Sequence, residues 1–312
     1  MGVEVLYGNW YSENWKQWVK QNCEHFDYVY LNRPHISVKY IDFIKEFTHA
    51  KILYYGHDLH FLREEMQYKV EKDPKLLVSA AKWKTIELSL FKKSDVILTP
   101  SAVETEIIQT LDTNFNVETI LMNFFSNPAV PITNFSKRNN ILFVGGFNHT
   151  PNVDAIEWFC TEVWPIVISK LPTIKFIIVG SNPPEFIKEL QCSNIEVKGY
   201  ISETELNSTY NDAKIAVIPL RYGAGVKGKT VEAMYNGLPL VTTSFGLEGM
   251  PGNIKNIIPE KENALEFAEE IIRLYENIDL LTDLSLKLTN YINEFFTQQS
   301  AELKMRKILD LK

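Results

Sequence analysis

The chain has 312 residues, of which 45% are apolar and 23% charged, and its 32 basic and 39 acidic side chains give a formal net charge of −7. These values are typical of a globular protein with two domains, and the acidic balance without a long basic run argues against nucleic acid as the main partner. Cys23, Cys160 and Cys192 form no CxxC pair, so neither a zinc site nor a disulfide framework is indicated, and a reducing, cytoplasmic compartment fits.

The first half of the chain predicts a series of strands and helices that ends in a linker. Strands are predicted at residues 3–7, 28–31, 51–55, 96–99 and 119–122, and helices at residues 13–23, 38–47, 74–91 and 102–110. Pro128 and Pro131 mark residues 128–140 as the linker, so residues 1–127 form the predicted N-terminal domain. No apolar run reaches the length of a signal peptide core or a membrane span.

The second half predicts a repeated strand–loop–helix series in a domain at residues 141–290. Strands are predicted at residues 141–144, 175–179, 195–197, 214–219, 240–243 and 256–258, and helices at residues 153–171, 184–190, 203–213 and 230–236. Such alternation indicates a parallel sheet covered by helices, and ligands of such sheets bind beyond the carboxyl ends of the strands. A last helix at residues 291–312 is expected to pack back toward the N-terminal domain.

The segment IAVIPLRYGAGVKGKTVEAM at residues 215–234 is the most informative stretch. A short apolar strand leads into a loop in which Gly223, Gly225 and Gly228 permit positive φ angles and close approach to the main chain. The helix that begins near Lys229 directs unpaired N–H groups and the positive end of its dipole at the same place. This arrangement suits a diphosphate.

Charged side chains in this segment extend the same prediction. Arg221, Lys227 and Lys229 add full positive charges, and Glu232 can accept hydrogen bonds from sugar hydroxyls. The string GAGVKGKT formally matches a Walker A loop. It follows several strand–helix units rather than the first strand, and no later strand ends in a magnesium-binding aspartate, so we interpret the match as a coincidence. A solvated glycine turn with surface lysines is the structural alternative.

The chain resembles family 4 glycosyltransferases, also called glycosyl transferases group 1. These proteins have the α/β GT-B fold of two Rossmann-like domains facing a cleft. The resemblance in the second half is carried by FVGGFNHTPNVDAIEWF, FIIVGSNPP, VKGYISETELNSTYNDAKIAVIPL and GAGVKGKTVEAMYNGLPLVTTSFGLEGM. In the first half it is carried by KILYYGHDLHFLRE and FKKSDVILTPSAVETEII. It covers nearly the whole chain and is most specific in the second half.

The resemblance implies transfer of a sugar from a nucleotide-diphosphate sugar to a glycan or lipid-linked acceptor, with retention at the anomeric carbon. It implies no cofactor besides the nucleotide sugar as co-substrate, and no bound metal. Bacterial surface polysaccharide synthesis is the expected setting, in the cytoplasm or peripherally at the inner face of the membrane.

The resemblance also implies roles for individual residues. Donor binding is assigned to Gly145, Gly146, Asn148, Tyr200, Ile201, Arg221, Gly225, Val226, Lys227, Lys229 and Glu232. Catalysis is assigned to His57, Asp58 and Glu232, and acceptor binding to Arg33 and His60. For Arg33 a structural ion pair is the alternative. A metal site in GHDLH would lack a clear further ligand, so no metal ligand is predicted.

Three departures from the family pattern modify these expectations. Ala224 stands where the family has an earlier glutamate, so contacts to the distal sugar hydroxyls are expected from main-chain amides near Gly225 and Val226. Phe147, Asn148 and His149 replace the usual basic pair, which leaves phosphate neutralisation to Arg221, Lys227 and Lys229. The N-terminal domain begins later than in related chains, as expected of a shortened transferase or of part of a larger, multidomain one.

Two other functions and one other partner stay open from the sequence. The chain could be a noncatalytic or partner-dependent glycosyltransferase-like domain, or a sugar-nucleotide epimerase, which shares the fold but needs acid/base carboxylates near the sugar. Residues 82–93 mix Trp83 and Phe91 with four lysines. That composition fits weak contact with an anionic membrane surface, and it also fits a solvated helix face.

Overall fold

The computed structural model describes residues 2–121, 125–223 and 225–311, and the chain folds as two compact units. Unit 1 comprises Met1–Glu65 and Asp73–Ile120, and unit 2 comprises Met66–Lys72 and Leu121–Lys312. The predicted linker at residues 128–140 therefore belongs to unit 2. It is held there because Ala129 N donates to Asn293 Oδ1 at 2.7 Å and Ile132 N donates to Ser285 Oγ at 2.8 Å.

Unit 1 contains a four-stranded parallel sheet in the order β1-β2-β3-β4. The strands are β1 (Tyr28–Asn32), β2 (Lys51–Tyr55), β3 (Val96–Thr99) and β4 (Val117–Thr119). Its helices are α1 (Asn9–Asn22), α2 (Pro34–Ser37), α3 (Ile41–Phe47), α5 (Pro74–Lys93) and α6 (Ala102–Leu111). Helix α4 (His60–Glu71) begins in unit 1, and its residues from Met66 onward belong to unit 2. All four residues of β3 are buried, as expected for a parallel strand covered by helices on both faces.

Unit 2 contains a five-stranded parallel sheet in the order β7-β6-β5-β8-β9. The strands are β5 (Asn140–Val144), β6 (Phe176–Val179), β7 (Ile195–Gly199), β8 (Ala213–Ile218) and β9 (Leu240–Thr242). The helices are α7 (Thr150–Trp158), α8 (Trp164–Lys170), α9 (Glu185–Lys188), α10 (Glu203–Asp212), α11 (Gly228–Tyr235), α12 (Ser244–Leu247), α13 (Ala264–Glu276), α14 (Ile278–Phe295) and α15 (Gln298–Ile308). The chain runs outward from β5 to β7, then returns to β8 beside β5, so the order reverses between β5 and β8.

Two predicted strands are wrong. Residues 3–7 pair with no strand in the described part of the chain, and Val3, Val5 and Tyr7 are 74%, 70% and 81% exposed. Their alternating pattern is real, but no described strand lies beside it to complete a sheet. At residues 256–258 the chain instead turns through a 3₁₀-helix, Ile254–Asn256, because a helical turn brings Ile254 and Ile258 together into the core.

A third strand prediction is shifted. The strand expected at residues 119–122 is β4, which begins at Val117 and ends at Thr119. Residue 122 lies outside the described residues.

Two helix predictions change as well. The predicted helix at residues 153–171 is divided by a π-helical turn, Phe159–Val163, and resumes at Trp164–Lys170, where Pro165 occupies the first turn. Helix α4 was missed, although its sequence HFLREEMQYKVE consists largely of good helix formers. The predicted helix at residues 291–312 is the end of α14 followed by α15.

Candidate functional site

A cavity of about 370 Å³ lies in unit 2 at the carboxyl ends of the strands that flank the reversal. This is the place where open parallel sheets bind ligands, because loops from neighbouring strands diverge there and leave a crevice. The lining comprises Val144, Gly145, Gly146, Asn152, Val179, Gly180, Ser181, Gly199, Tyr200, Ile201, Leu206, Gly228, Lys229 and Glu232. Six of the predicted donor-binding residues, Gly145, Gly146, Tyr200, Ile201, Lys229 and Glu232, therefore share one cavity.

Glycine at two strand ends makes room for this cavity. A Cβ atom on Gly180 would lie 2.0 Å from the carbonyl oxygen of Gly145, so the loops after β5 and β6 approach each other through bare main chain. A Cβ atom on Gly145 would lie 2.9 Å from Asn152 Nδ2 and 3.1 Å from Lys229 Cε. Larger residues at either position would push the loop and the lysine out of place.

Asn152 connects the glycine loop to Lys229. This buried residue lies in the first turn of α7, where its Nδ2 donates to the Gly146 carbonyl at 2.7 Å and its Oδ1 accepts from Lys229 Nζ at 2.7 Å. Sequence reasoning did not identify it. The segment HTPN could have identified it, because its proline marks the first turn of α7. The asparagine that follows this proline therefore lies close to the loop after β5.

Lys229 is the cation that lines the cavity. Its ammonium group contacts a neutral amide, and within the described residues it forms no ion pair. Burial lowers the pKa of Lys229 to about 8, the charge of Lys227 acts in the same sense, and Glu232 opposes the shift. An anion in the cavity would therefore restore the charged form of Lys229 and gain a charge-assisted contact.

The amino end of α11 faces the same cavity through Gly228. Among the described residues no side chain caps this end, whose preceding residue is Lys227. Gly223 and Gly225 have φ angles of 134° and 73°, which confirms the predicted positive φ angles at these two positions, whereas Gly228 is the first residue of α11. Uncapped N–H groups and the helix dipole make such an end a site for anionic groups.

The other two predicted phosphate ligands are already paired with carboxylates. The Arg221 guanidinium makes two bonds to Asp154, with Nε 3.0 Å from Oδ2 and Nη2 against Oδ1. Lys227 is only 7% exposed, and its Nζ lies 3.2 Å from Glu248 Oε2 and also donates to the Gly225 carbonyl. Neither cation is among the residues that line the cavity.

Of the remaining predicted donor residues, three lie outside the cavity lining, whereas Tyr200 belongs to it. Tyr200 is 83% exposed at the cavity rim and follows Gly199, whose φ angle is 66°. Asn148 is exposed and lies outside the lining, and the same lining omits Gly225 and Val226. Ala224 lies outside the described residues. The direct contacts of a ligand in the cavity would thus come from fewer residues than the sequence predicted.

In unit 1, His57 occupies the loop after β2. Its φ angle is 73°, a left-handed conformation that costs energy in a residue other than glycine and is common at functional sites. Its Nε2 lies 2.5 Å from Asn32 Oδ1, and its ring packs at 4.6 Å from the ring of Tyr55. Burial and the nearby charge of Arg33 lower the pKa of His57, which favours the neutral form of its ring.

Asp58 and His60 belong to a charged cluster at the start of α4. Asp58 pairs with Arg63, and His60 Nδ1 lies 3.2 Å from Glu87 Oε1 and 3.4 Å from Asp58 Oδ1. Burial disfavours charge on His60, but the bond to Glu87 and the charge of Asp58 outweigh burial and raise the pKa of His60. The described residues contain no group of three or more His, Cys, Asp or Glu side chains suited to a metal ion.

Comparisons with known proteins agree with this architecture. Residues 138–277 match the family described as Glycosyl transferases group 1. These residues belong to that family. Over 162 residues, half of this chain, the sequence is 30% identical to a Klebsiella pneumoniae protein described as an uncharacterized 44.6 kDa protein in the cps region. The residues that match the family include the whole cavity lining and all of the predicted donor-binding residues.

Solved structures of similar fold cover nearly the whole chain. TarM has a TM-score of 0.73 at 16% identity and covers 95% of this chain, and sucrose-phosphate synthase from Thermosynechococcus elongatus has a TM-score of 0.71 at 14% identity and covers 99%. An S. aureus TarM variant crystallised with fondaparinux, alpha-GlcNAc-glycerol and UDP has a TM-score of 0.71 at 18% identity over 95% of this chain. These likenesses establish the predicted α/β GT-B fold with its two parallel sheets.

The chain spans only part of these relatives. It covers 42% of the Klebsiella protein, 57% of TarM, 58% of the TarM variant and 80% of the synthase. Among the described residues, no helix is both long and apolar enough to cross a membrane.

Proposed function

We propose that this chain is a retaining glycosyltransferase that moves a sugar from a nucleotide-diphosphate sugar to a glycan or lipid-linked acceptor. The observation that carries the proposal is the cavity beside the uncapped end of α11, with Lys229 as a cation that forms no ion pair among the described residues. The UDP bound to the S. aureus TarM variant supports a nucleoside diphosphate as the ligand, and the cps-region relative supports surface polysaccharide synthesis.

Each part of the donor has a proposed place in the cavity. The diphosphate would lie against the Gly145–Gly146 main chain, Lys229 and the amino end of α11, since these supply positive charge and N–H groups. Glu232, near the start of α11, would accept hydrogen bonds from the ribose. The ring of Tyr200, exposed beside Ile201, would pack against the base.

The proposed reaction uses the leaving diphosphate to assist the incoming hydroxyl, without an enzyme nucleophile. Negative charge then grows on the β-phosphate as the bond to the anomeric carbon breaks, and Lys229 with the α11 dipole would stabilise it. Arg221 and Lys227 would act through the loop that they hold, because their charges are already paired. His57 is assigned to the reacting sugar, and transfer is proposed to need no metal.

A panel of nucleoside diphosphates and their sugar conjugates tests the proposal, first by thermal shift and then by titration calorimetry. The expected result is binding of one diphosphate family, followed by sugar transfer to a lipid-linked glycan that EDTA does not abolish. Donor binding without transfer would favour a noncatalytic or partner-dependent domain, and isomerisation of the donor's sugar without acceptor would favour an epimerase. Absence of binding by every nucleotide would contradict the proposal.

The cytoplasmic location and weak membrane contact stay part of the same proposal. Lipid-linked acceptors lie at a membrane surface, and α5 carries Lys82, Lys84, Lys92 and Lys93. Leu77 and Val78 near its start are 43% and 59% exposed. Sedimentation with anionic vesicles, compared with zwitterionic vesicles, would measure this contact, and equal sedimentation with both would contradict it.

A further inference from the structure

Lys227, the residue that precedes α11, forms a buried ion pair with Glu248. Their side chains are 7% and 12% exposed, and Lys227 Nζ lies 3.2 Å from Glu248 Oε2. Lys227 lies in the loop after β8, and Glu248 directly follows α12, the short helix after the neighbouring strand β9. Thr230 Oγ1 connects α12 to α11 by donating to the Gly246 carbonyl at 2.8 Å. Burial raises the pKa of Glu248, and Lys227 opposes that rise.

A buried ion pair is weak support for stability, because the loss of hydration of two charges offsets most of their attraction. In the proposed function, no side chain of unit 2 is assigned to the ring hydroxyls of the sugar, and this pair is a candidate for that role. Lys227 directly precedes Gly228 and Lys229, both in the cavity lining, and its charge is felt by Lys229. Within the described residues, the carboxylate of Glu248 has no hydrogen-bond partner besides Lys227, so its Oε1 is available to another donor.

The pair also solves an electrostatic problem. The transferred sugar is bonded to the diphosphate, so a carboxylate that contacts the sugar lies close to a phosphate. An unpaired carboxylate there would repel the phosphate. Because Lys227 neutralises Glu248, the carboxylate can remain ionised near the diphosphate and still accept hydrogen bonds from neutral hydroxyl groups. Glutamate has only acceptor atoms when ionised, so its partners are hydroxyl or amide donors.

We propose that Glu248 binds the ring hydroxyls of the transferred sugar, and that Lys227 is the positioning residue that holds this carboxylate in place. The inference rests on the proposed function and adds to it the group that recognises the sugar. It assigns the two lysines different tasks. Lys229 binds the diphosphate, and Lys227 acts through Glu248 on the sugar.

The test compares a nucleoside diphosphate with its sugar conjugate in the wild type and in Glu248→Gln, using the nucleotide that the panel identifies. The expected result is an affinity for the conjugate that falls about 10- to 100-fold, because the variant loses a charge-assisted bond, while affinity for the bare diphosphate changes less than about 2-fold. Glu270→Gln is the matched control, since Glu270 is 8% exposed and pairs with Arg273 on α13. It should alter neither affinity.

Equal losses for the diphosphate and the conjugate would show a merely structural role and overturn the inference, as would no change in either. If Glu248→Gln fails to fold, Lys227→Gln gives a second test. It leaves Glu248 without its cation, so sugar-dependent affinity should fall as pH decreases toward about 6, because the buried carboxylate then takes up a proton more readily. Lys227→Arg should restore it. A pH-independent ratio in Lys227→Gln would again overturn the inference.

The two proposals can fail separately. If no nucleoside diphosphate binds the wild type, the proposed function fails, and the inference that rests on it fails with it. If a diphosphate binds and only the ratio of affinities stays fixed in the variants, the donor site stands and the assignment of Glu248 is wrong.

Discussion

The helices α4 and α11 both begin at a loop after a parallel strand, but their amino ends are treated in opposite ways. At α4, Leu59 N donates to Glu104 at 3.0 Å and His60 N donates to Glu87 at 2.9 Å, so buried carboxylates of the protein occupy the positive end of the helix. At α11, no described side chain caps the end, and Lys229 lines a cavity there. The contrast suits a stabilising role of the carboxylates at α4, and it suits the anion site that we propose at α11.

The largest effect is expected at the strained residue near α4. His57→Ala should lower turnover about 100-fold, the lower range for a positioned acid, base or hydrogen-bonding group, while donor affinity changes little. Steady-state kinetics and calorimetry on the same preparations measure the two quantities. The exposed His35 serves as control through His35→Ala. A loss confined to donor affinity would remove His57 from the reaction.

At α4, the contrast predicts that removal of a capping carboxylate lowers the stability of the folded protein. Glu87→Gln should lower the free energy of unfolding by about 1–3 kcal/mol, because the His60 and Phe61 amides lose a charged acceptor. The variant should also change the dependence on pH. Since the pKa of His60 is raised on folding, its contribution is present below its unfolded pKa and is lost as pH rises through the folded one.

Denaturant unfolding of wild type and Glu87→Gln between about pH 5.5 and 8 therefore tests the role of α4. The difference in stability should be larger at the acid end and smaller at the alkaline end. A constant difference would mean that Glu87 supports only the backbone, and no difference at all would contradict its role in capping α4.

At α11, replacement of the cation should weaken diphosphate binding without affecting the nucleoside. Lys229→Ala should weaken nucleoside diphosphate binding by about 1.5–3 kcal/mol and leave binding of the matching nucleoside unchanged. Lys214 is the control, because this β8 lysine is only 9% exposed but contacts the Tyr275 ring rather than the cavity. If Lys214→Met and Lys229→Ala weaken binding equally, the effect is one of folding.

The smallest effect is expected at Glu232. Glu232→Gln should weaken donor binding by about 0.5–1.5 kcal/mol, as for loss of one ordinary hydrogen bond, and Glu232→Ala should weaken it further. A nucleoside diphosphate without ribose hydroxyls should bind the wild type and both variants alike. If the variants weaken that analogue too, Glu232 acts on the helix or on Lys229 rather than on the ribose.

The same contrast explains what the sequence could predict. The glycine loops, the parallel order and the cavity at the strand ends follow from local patterns and from sheet geometry, and Gly145, Tyr200 and Lys229 all line that cavity. Their roles in donor binding stay a prediction. Partners that come from distant segments could not be foreseen. Asp154 is 67 residues before Arg221, and Asn152 is 77 residues before Lys229. Hence three free cations were predicted, whereas among the described residues two of them are paired with carboxylates.

Titration of the wild type with its nucleoside diphosphate from about pH 7 to 9.5 shows most directly whether Lys229, at the end of α11, binds the phosphates. We expect the affinity to be highest at the lower pH and to fall as pH rises through about 8, where Lys229 loses its proton. Lys229→Arg, whose charge persists throughout this range, should bind with little dependence on pH. A wild-type affinity that stays the same across the whole range, or that falls equally in Lys229→Arg, would contradict this role of Lys229.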